Sequence, residues 1–450
     1  MKKTVQGDNV LVIGLGISGL SAVRFLLDRG AHVLGFDDKL GSLRGNGKLV
    51  ELEKRGAVFV ENPERLNLSS CNLAVASPGI PPENVLYRRA VELGIEVIGE
   101  IELACRHLSR RIVGITGTNG KTTVTHLIGH VLNSCGQPAR VLGNIGEPLT
   151  SVLNELKEEV IVCELSSFQL ETMQSRVLDG GVIVNITPDH LDRYSGMEDY
   201  AAAKLRIIQC LKPGADLYVE WRAYEHFKPL FQNFVPKTYG YSPACDLFTD
   251  KNVLFHHENI EYLLPDRYRG RASHDTENIM AAFALCCELG VATDDFDQAL
   301  QTFVKPPHRI EFVTTIQGVS VFNDSKATNI DAVIRAVESM RGKVVLIAGG
   351  MEKQGANYAL WKKAFGNQVK EICVIGQAKE KIKEELSQSY PLHLCSTLED
   401  AVLKALSIAE NGENVLLSPG GSSFDMFDHF EHRGEEFKRI VYKREFDVRK

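Results

Sequence analysis

The chain has 450 residues, enough for about three domains at roughly 150 residues each. Its 44% apolar and 24% charged content is that of an ordinary globular protein, and the formal net charge of −7 argues against general affinity for nucleic acid or anionic membrane. No run approaches the ~20 apolar residues that cross a bilayer. The opening Met1-Lys2-Lys3-Thr4 leads through polar Gln6 to Asn9 without the apolar core of a signal peptide, so a cytoplasmic protein without membrane insertion is expected. The 10 cysteines show no CxxC and no metal-like pairing with histidine, which suits reduced, mostly buried thiols.

Val10–Ile13 reads as a strand, followed by Gly14-Leu15-Gly16-Ile17-Ser18-Gly19 and a helical run to about Arg29. A second strand, His32–Phe36, ends in Asp37-Asp38. This is the pattern of a Rossmann-type turn, with glycines for close approach to a phosphate and an acid for a ribose. Alone it is a weak signal, because such turns hold NAD, other phosphates or nothing. Asp37 and Asp38 could equally cap a solvated turn. Asn72–Ser77 is a later strand, with Ser77-Pro78-Gly79 at its carboxyl end. Glu100–His107 then reads as a connecting helix.

The most informative stretch follows. Arg111–Ile115 has the β-branched character of a buried strand, and Thr122–Ser134 carries Val124, Leu127, Ile128 and Val131 at helical spacing. Between them lies Gly117-Thr118-Asn119-Gly120-Lys121-Thr122-Thr123. Backbone amides of such a loop and the helix end behind it cradle phosphates, Lys121 reaches the terminal phosphates, and the Thr122 hydroxyl is placed for Mg²⁺. The strict Walker A spacing would need glycine at 115, where this chain has isoleucine. The strand–loop–helix context predicts ATP use.

Two further apolar runs, Glu159–Cys163 and Gly181–Ile186, suit strands of a parallel sheet. Glu164 to Gln169 follows the first and Thr187 to Asp192 the second, on the same side as the phosphate loop. Glu164 reads evenly as a Mg²⁺ ligand or a helix-capping acid. His190 alone is more often a turn residue, and Lys204 among alanines more often extends from a helix face. Pro306-Pro307 marks a linker, and strand signals at Val344–Ala348, Glu371–Ile375 and Asn414–Leu417 alternate with helices. The expected fold is α/β in three domains. These are a Rossmann-like domain over 1–99, a central P-loop-type mononucleotide-binding domain over 100–305, and a C-terminal Rossmann-like domain over 306–450.

Gly117 to Thr123 resembles the phosphate loop of the Mur ligases, which use ATP to join a carboxylate to an amino acid through an acyl phosphate. Asn185 to Tyr194 with Tyr200 to Ile207, Asn323 to Asn329 (NDSKATN), and Ser418 to Gly434 also resemble segments of that family. The likeness is strongest to the branch that adds D-glutamate to UDP-N-acetylmuramoyl-L-alanine in peptidoglycan synthesis. A sibling ligase adding another amino acid is the alternative. An NAD oxidoreductase leaves GTNGKTT and NDSKATN unexplained, and a non-catalytic regulator would not need Lys121, Glu164, His190 and Lys204 together.

The resemblance implies the following roles. Ile17, Ser18, Asp37, Asp38, Lys39 and Ser77 surround uridine and diphosphate, and Asn144 and Ser166 touch the bound substrate. Gly117 to Thr123 hold the ATP phosphates, with Asn278 on the adenine side, Arg309 toward the phosphates and Asp324 toward the ribose. Two Mg²⁺ ions are expected, one on Thr122 and Glu164, the other among Glu164, His190 and Lys204, the lysine being carbamylated by CO₂. Thr328, Lys353, Ser423 and Phe430 form the amino-acid pocket. A monomer is expected. Two departures stand out: Asp275 where the family usually has asparagine, and an extra Gln354 after Lys353.

Overall fold

A computed structural model describes residues 5–155, 157–249, 253–256, 260–265, 274–352 and 355–449. The chain forms three sheets. The first is wholly parallel, in the order Val58–Val60, His32–Phe36, Asn9–Ile13, Leu73–Ala76, Glu96–Gly99. The helix Ile17–Asp28 starts at the glycine turn and buries Leu20, Val23, Phe25 and Leu26. The predicted strands at 10–13, 32–36 and 72–77 are all present; Val58–Val60 and Glu96–Gly99 were not foreseen.

The second sheet has nine strands, in the order Ile260–Leu263, Val253–His256, Leu247–Thr249, Lys237–Gly240, Leu217–Glu220, Gly180–Ile183, Ile112–Thr116, Val160–Glu164, Ala139–Gly143. Its first two pairings are antiparallel hairpins and the rest are parallel. The central strands are buried along their whole length, as suits their mostly apolar sequences IVGIT, VIVCE and GGVI. Helix Lys121–Ser134 covers this sheet through Val124, Leu127, Ile128 and Val131, the residues that its spacing predicts. The predicted strand Gly181–Ile186 ends early, at Ile183, because Val184 to Ile186 turn toward the phosphate loop.

The third sheet runs Glu311–Ile316, Val319–Asn323, Asn414–Gly420, Val344–Gly349, Val369–Ile375, Leu392–Leu394. Its first pair is an antiparallel hairpin and the remaining strands are parallel. Residues 1–186, 201–272 and 276–303 make one compact unit; 187–200, 273–275 and 304–450 make the other. The segment carrying His190 thus belongs with the C-terminal sheet.

The first two sheets are joined by the short helix Glu100–Cys105, and two buried acids secure it. Glu102 accepts hydrogen bonds from Gln174 N, Ser175 N, Ser175 Oγ and Arg106 Nε at 2.8–2.9 Å. Glu100 accepts from Thr150 N at 2.6 Å and Thr150 Oγ1 at 2.7 Å, yet burial pushes its carboxyl up from 4.5 to about 7. Between those values the folded chain keeps a proton that the unfolded chain gives up. Stability therefore falls as pH rises through that window, by about 3 kcal/mol for this group. Asp324, also raised to about 7, acts with the same sign. Denaturant titrations at pH 5 and pH 8 should show the wild type losing stability toward pH 8, and Glu100→Gln losing about half as much. Equal losses in both proteins would contradict the assignment.

Of the 10 cysteines, eight are buried and Cys135 and Cys287 partly so, and none forms a disulfide. Among the described residues no helix is long and apolar enough to cross a membrane.

Candidate active site

The strand Ile112–Thr116 ends at the carboxyl edge of the second sheet, and the loop 117–120 turns there into helix Lys121–Ser134. Gly120, the residue before the helix, has φ 87°, and a Cβ there would collide with Asn278 Oδ1. Only glycine meets both demands. Asn185, given no role by the sequence reading, braces the loop from the neighbouring strand. Its carbonyl accepts from Thr118 N (2.9 Å), its Oδ1 accepts from Asn119 N (2.9 Å), and its Nδ2 donates to Asn119 O (2.8 Å). The signal that could have found it is an asparagine two residues beyond a strand that lies beside the loop.

Lys121 Nζ donates to Gly117 O at 2.9 Å and Thr118 O at 2.8 Å. Lys204, only 1% exposed, donates to the same Gly117 carbonyl at 2.7 Å. Two side-chain cations therefore share one acceptor at the loop. A buried lysine with that neighbour is not a surface side chain stretched from a helix. Thr122 and Thr123 are buried in the first turn of the helix, so the hydroxyl predicted for Mg²⁺ sits directly behind the loop.

Glu164 ends the strand Val160–Glu164, adjacent to Ile112–Thr116, and is 1% exposed. Its Oε1 accepts from Asn144 Nδ2 at 2.8 Å, while its Oε2 is buried without a hydrogen-bond partner among the described residues. The helix-capping alternative is settled against Glu164. Ser166 caps helix Ser167–Thr172, its Oγ accepting from Gln169 N at 3.2 Å while Gln169 Oε1 accepts from Ser166 N. A buried carboxylate oxygen left unpaired beside the phosphate loop is what a hard cation would satisfy. Among the described residues no three His, Cys, Asp or Glu side chains converge as a ready-made metal cage.

At the first sheet, Asp37 is committed to the glycine turn: Oδ2 accepts from Leu15 N at 2.7 Å and Oδ1 from Lys39 N at 2.8 Å. Ser77 Oγ donates to Gly14 O at 2.9 Å. Both residues shape the turn, whereas Ile17, Asp38 and Lys39 stand exposed around it and Ser18 is half-buried.

In the second unit, His190 has φ 56°, lies 3.7 Å from Asp189 and is half-exposed. Asp189 Oδ2 accepts from Asn329 Nδ2 at 3.0 Å, and Thr187 Oγ1 donates to Asp331 at 3.0 Å. The segment 187–192 is thus bound to the end of NDSKATN, a juxtaposition no sequence spacing signalled. Asp324 accepts from Ser418 Oγ (2.8 Å) and Ile310 N (3.2 Å). Burial pushes its carboxyl up to about 7 against those bonds and the charges of Arg309 and Lys305. Asp275, the departure from the family pattern, pairs with Lys305 at 2.6 Å.

Ser423 is buried, and Thr328 and Phe430 are half-buried. Lys326 Nζ lies 3.9 Å over the Phe430 ring, a cation–π contact that was not anticipated. Arg433, 1% exposed, ties two loops together through Ser325 Oγ (3.0 Å), Ser325 O (2.8 Å) and Gly421 O (3.2 Å). Lys353 and Gln354 lie outside the described residues.

The loop, its lysine, the buried acid and the parallel sheet define a nucleotide-binding α/β protein of the P-loop kind. Family profiles match the Mur ligase MurD-like N-terminal domain over residues 8–99, the Mur ligase middle domain over 115–286 and the Mur ligase glutamate ligase domain over 308–421. The chain is 48% identical to a UDP-N-acetylmuramoylalanine–D-glutamate ligase of Protochlamydia amoebophila, covering 97% of this chain and 98% of that one. It is 38% identical to the ligase of the same name from Caldanaerobacter subterraneus, covering 96% and 97%. It shares its fold with the UDP-N-acetylmuramate–alanine ligase MurC of Thermotoga maritima (TM-score 0.61, 18% identity, 97% and 99% covered). The same holds for the MurF ligase of Thermotoga maritima in complex with ADP (TM-score 0.61, 17% identity, 99% and 97% covered). The chain belongs to the Mur ligase family, whose members are ATP-dependent ligases.

Proposed function

We propose that the protein joins D-glutamate to UDP-N-acetylmuramoyl-L-alanine with hydrolysis of ATP to ADP and phosphate. The observation that carries this is 48% identity over nearly the whole of a D-glutamate ligase, with a phosphate loop and a buried, half-unpaired carboxylate at its catalytic edge. In this reading the three sheets mark domains at 1–99, 100–305 and 306–450 for the UDP substrate, ATP and amino acid. Loop amides 117–121 and the helix end behind them hold the phosphates, and Lys121 neutralises charge on the transferred group. Asn278, Arg309 and Asp324 serve the rest of the nucleotide.

The alanyl carboxylate oxygen attacks the γ-phosphorus, and the bond to ADP breaks. The D-glutamate amine then attacks the acyl carbon, loses a proton, and phosphate leaves as the amide forms. Thr122, Glu164 and His190 would hold Mg²⁺, which when bound offsets the negative charge of these steps. Lys204 becomes a metal ligand if its amine takes up CO₂ as a carbamate. Its burial and its shared acceptor with Lys121 support that reading, since an ammonium there adds to the repulsion of cations. Thr328, Lys353, Ser423 and Phe430 select the amino acid. We further propose a monomer acting in the cytoplasm.

Phosphate release with UDP-N-acetylmuramoyl-L-alanine, ATP and Mg²⁺ tests the choice of amino acid. D-glutamate should stimulate it at least tenfold over L-alanine, meso-diaminopimelate or L-lysine. Preference for any of those three would assign the chain to a sibling activity.

A further inference from the structure

Glu164 is held in place from an unexpected direction. Gly143, at φ 106°, lets the chain pass so close to the strand 160–164 that a Cβ would collide with Glu164 O. Asn144 then donates from its backbone to Glu164 O at 2.9 Å and from its side chain to Glu164 Oε1 at 2.8 Å. The strap continues through Gly146 and Pro148 into the short helix Leu149–Val152, where Thr150 is buried.

Three separate elements meet at Thr150. Its Oγ1 lies 2.8 Å from Ser21 Oγ on the helix that begins at the glycine turn of the first sheet. Its N and Oγ1 both donate to Glu100 Oε1 on the connecting helix. The other oxygen of Glu100 has no hydrogen-bond partner among the described residues, so within them Glu100 bonds through Thr150 alone. With its own proton given to Glu100, the Thr150 hydroxyl accepts from Ser21. One hydroxyl thus anchors the far end of the strap whose near end grips Glu164.

We infer that Thr150 is a positioning residue for the ligase reaction: through the 144–150 strap it ties the helix of the UDP-substrate turn to the carboxylate assigned to Mg²⁺. The inference rests on the metal role given to Glu164 above. Groups that orient a metal ligand without touching the metal typically contribute 10–100-fold in affinity or activity.

The test uses the full-length protein with ATP, UDP-N-acetylmuramoyl-L-alanine, D-glutamate and titrated Mg²⁺. Thr150→Val keeps the shape and the backbone donor but removes the hydroxyl. It should lower kcat by about tenfold and raise both the half-saturating Mg²⁺ concentration and the Mg²⁺ dissociation constant read by calorimetry on the protein with ADP by a similar factor. The KM for D-glutamate should stay within about twofold, because that pocket is assigned to other residues. Thr150→Ser should restore all three parameters. A folded Thr150→Val with wild-type kcat and Mg²⁺ response, or a serine variant as impaired as the valine one, overturns the inference. Should the valine variant fail to fold, Ser21→Ala removes one bond of the node and should move the Mg²⁺ response in the same direction; no movement counts against it. Glu164→Gln separates the two layers. If that variant keeps the wild-type Mg²⁺ response, the metal assignment itself fails. If it is inactive while Thr150→Val is normal, only the role of Thr150 falls.

Discussion

Lys121→Ala should abolish turnover, lowering kcat by about 10³-fold or more. Its ammonium lies at the mouth of the phosphate loop, bonded to the carbonyls of Gly117 and Thr118, within reach of the site where the phosphates would sit. Charge that develops on a transferring phosphoryl group is stabilised mainly by fixed cations and dipoles, and removing a single such donor costs on the order of 10²–10³ in rate. The substitution also removes two bonds to loop carbonyls, of which Gly117 O keeps Lys204 as a donor, so loop collapse must be distinguished from lost catalysis. Asn185 still holds the loop at Thr118 and Asn119, and the melting temperature should move little. Calorimetry should show UDP-N-acetylmuramoyl-L-alanine binding as in the wild type, since its uridine and diphosphate contacts are assigned to the first sheet. A variant retaining more than a tenth of wild-type phosphate release would reduce Lys121 to a structural tie.

Lys204→Ala should be almost as damaging, and its rescue is more diagnostic than its loss. In the proposed carbamate form the side chain ends in an anion. Alanine removes that anion and leaves a gap beside the loop. A small carboxylate such as acetate can occupy the gap, so activity should return in part as acetate is raised to tens of millimolar. Lys204→Arg should be inactive and not respond, because its guanidinium carries a permanent charge and cannot react with CO₂. Unmodified lysine in a purely structural role predicts the opposite: arginine partly active, acetate without effect. Full activity of the alanine variant without added carboxylate would remove Lys204 from the site altogether.

Much of this architecture was legible in the sequence because it is local. The strands at 10–13, 112–116, 160–164 and 344–349 are short, mostly apolar and followed by glycine or polar turns, and helix 121–134 carries its core residues at regular spacing. The hairpins formed by Leu247–Thr249, Val253–His256 and Ile260–Leu263, and by Glu311–Ile316 with Val319–Asn323, were missed because their strands are short and mix apolar with polar residues. The site divides in the same way. Lys121 and Thr122 follow from the loop itself. Lys204 reads as a surface lysine until its burial against Gly117 is seen. Thr150 and Lys326 act through tertiary contacts that no spacing encodes, and Asp37 and Ser77 shape a turn from residues 22 and 63 positions away.

Isotope transfer reports whether a carboxyl oxygen leaves with the phosphate. UDP-N-acetylmuramoyl-L-alanine carrying ¹⁸O in both carboxyl oxygens is incubated with the protein, ATP, Mg²⁺ and D-glutamate, and the phosphate released is examined by mass spectrometry. If the carboxylate attacks the γ-phosphorus and the amine then displaces phosphate from the acyl carbon, each phosphate carries one ¹⁸O and the amide product keeps the other. Phosphate without label, or label appearing equally when D-glutamate is replaced by L-lysine, would contradict the account.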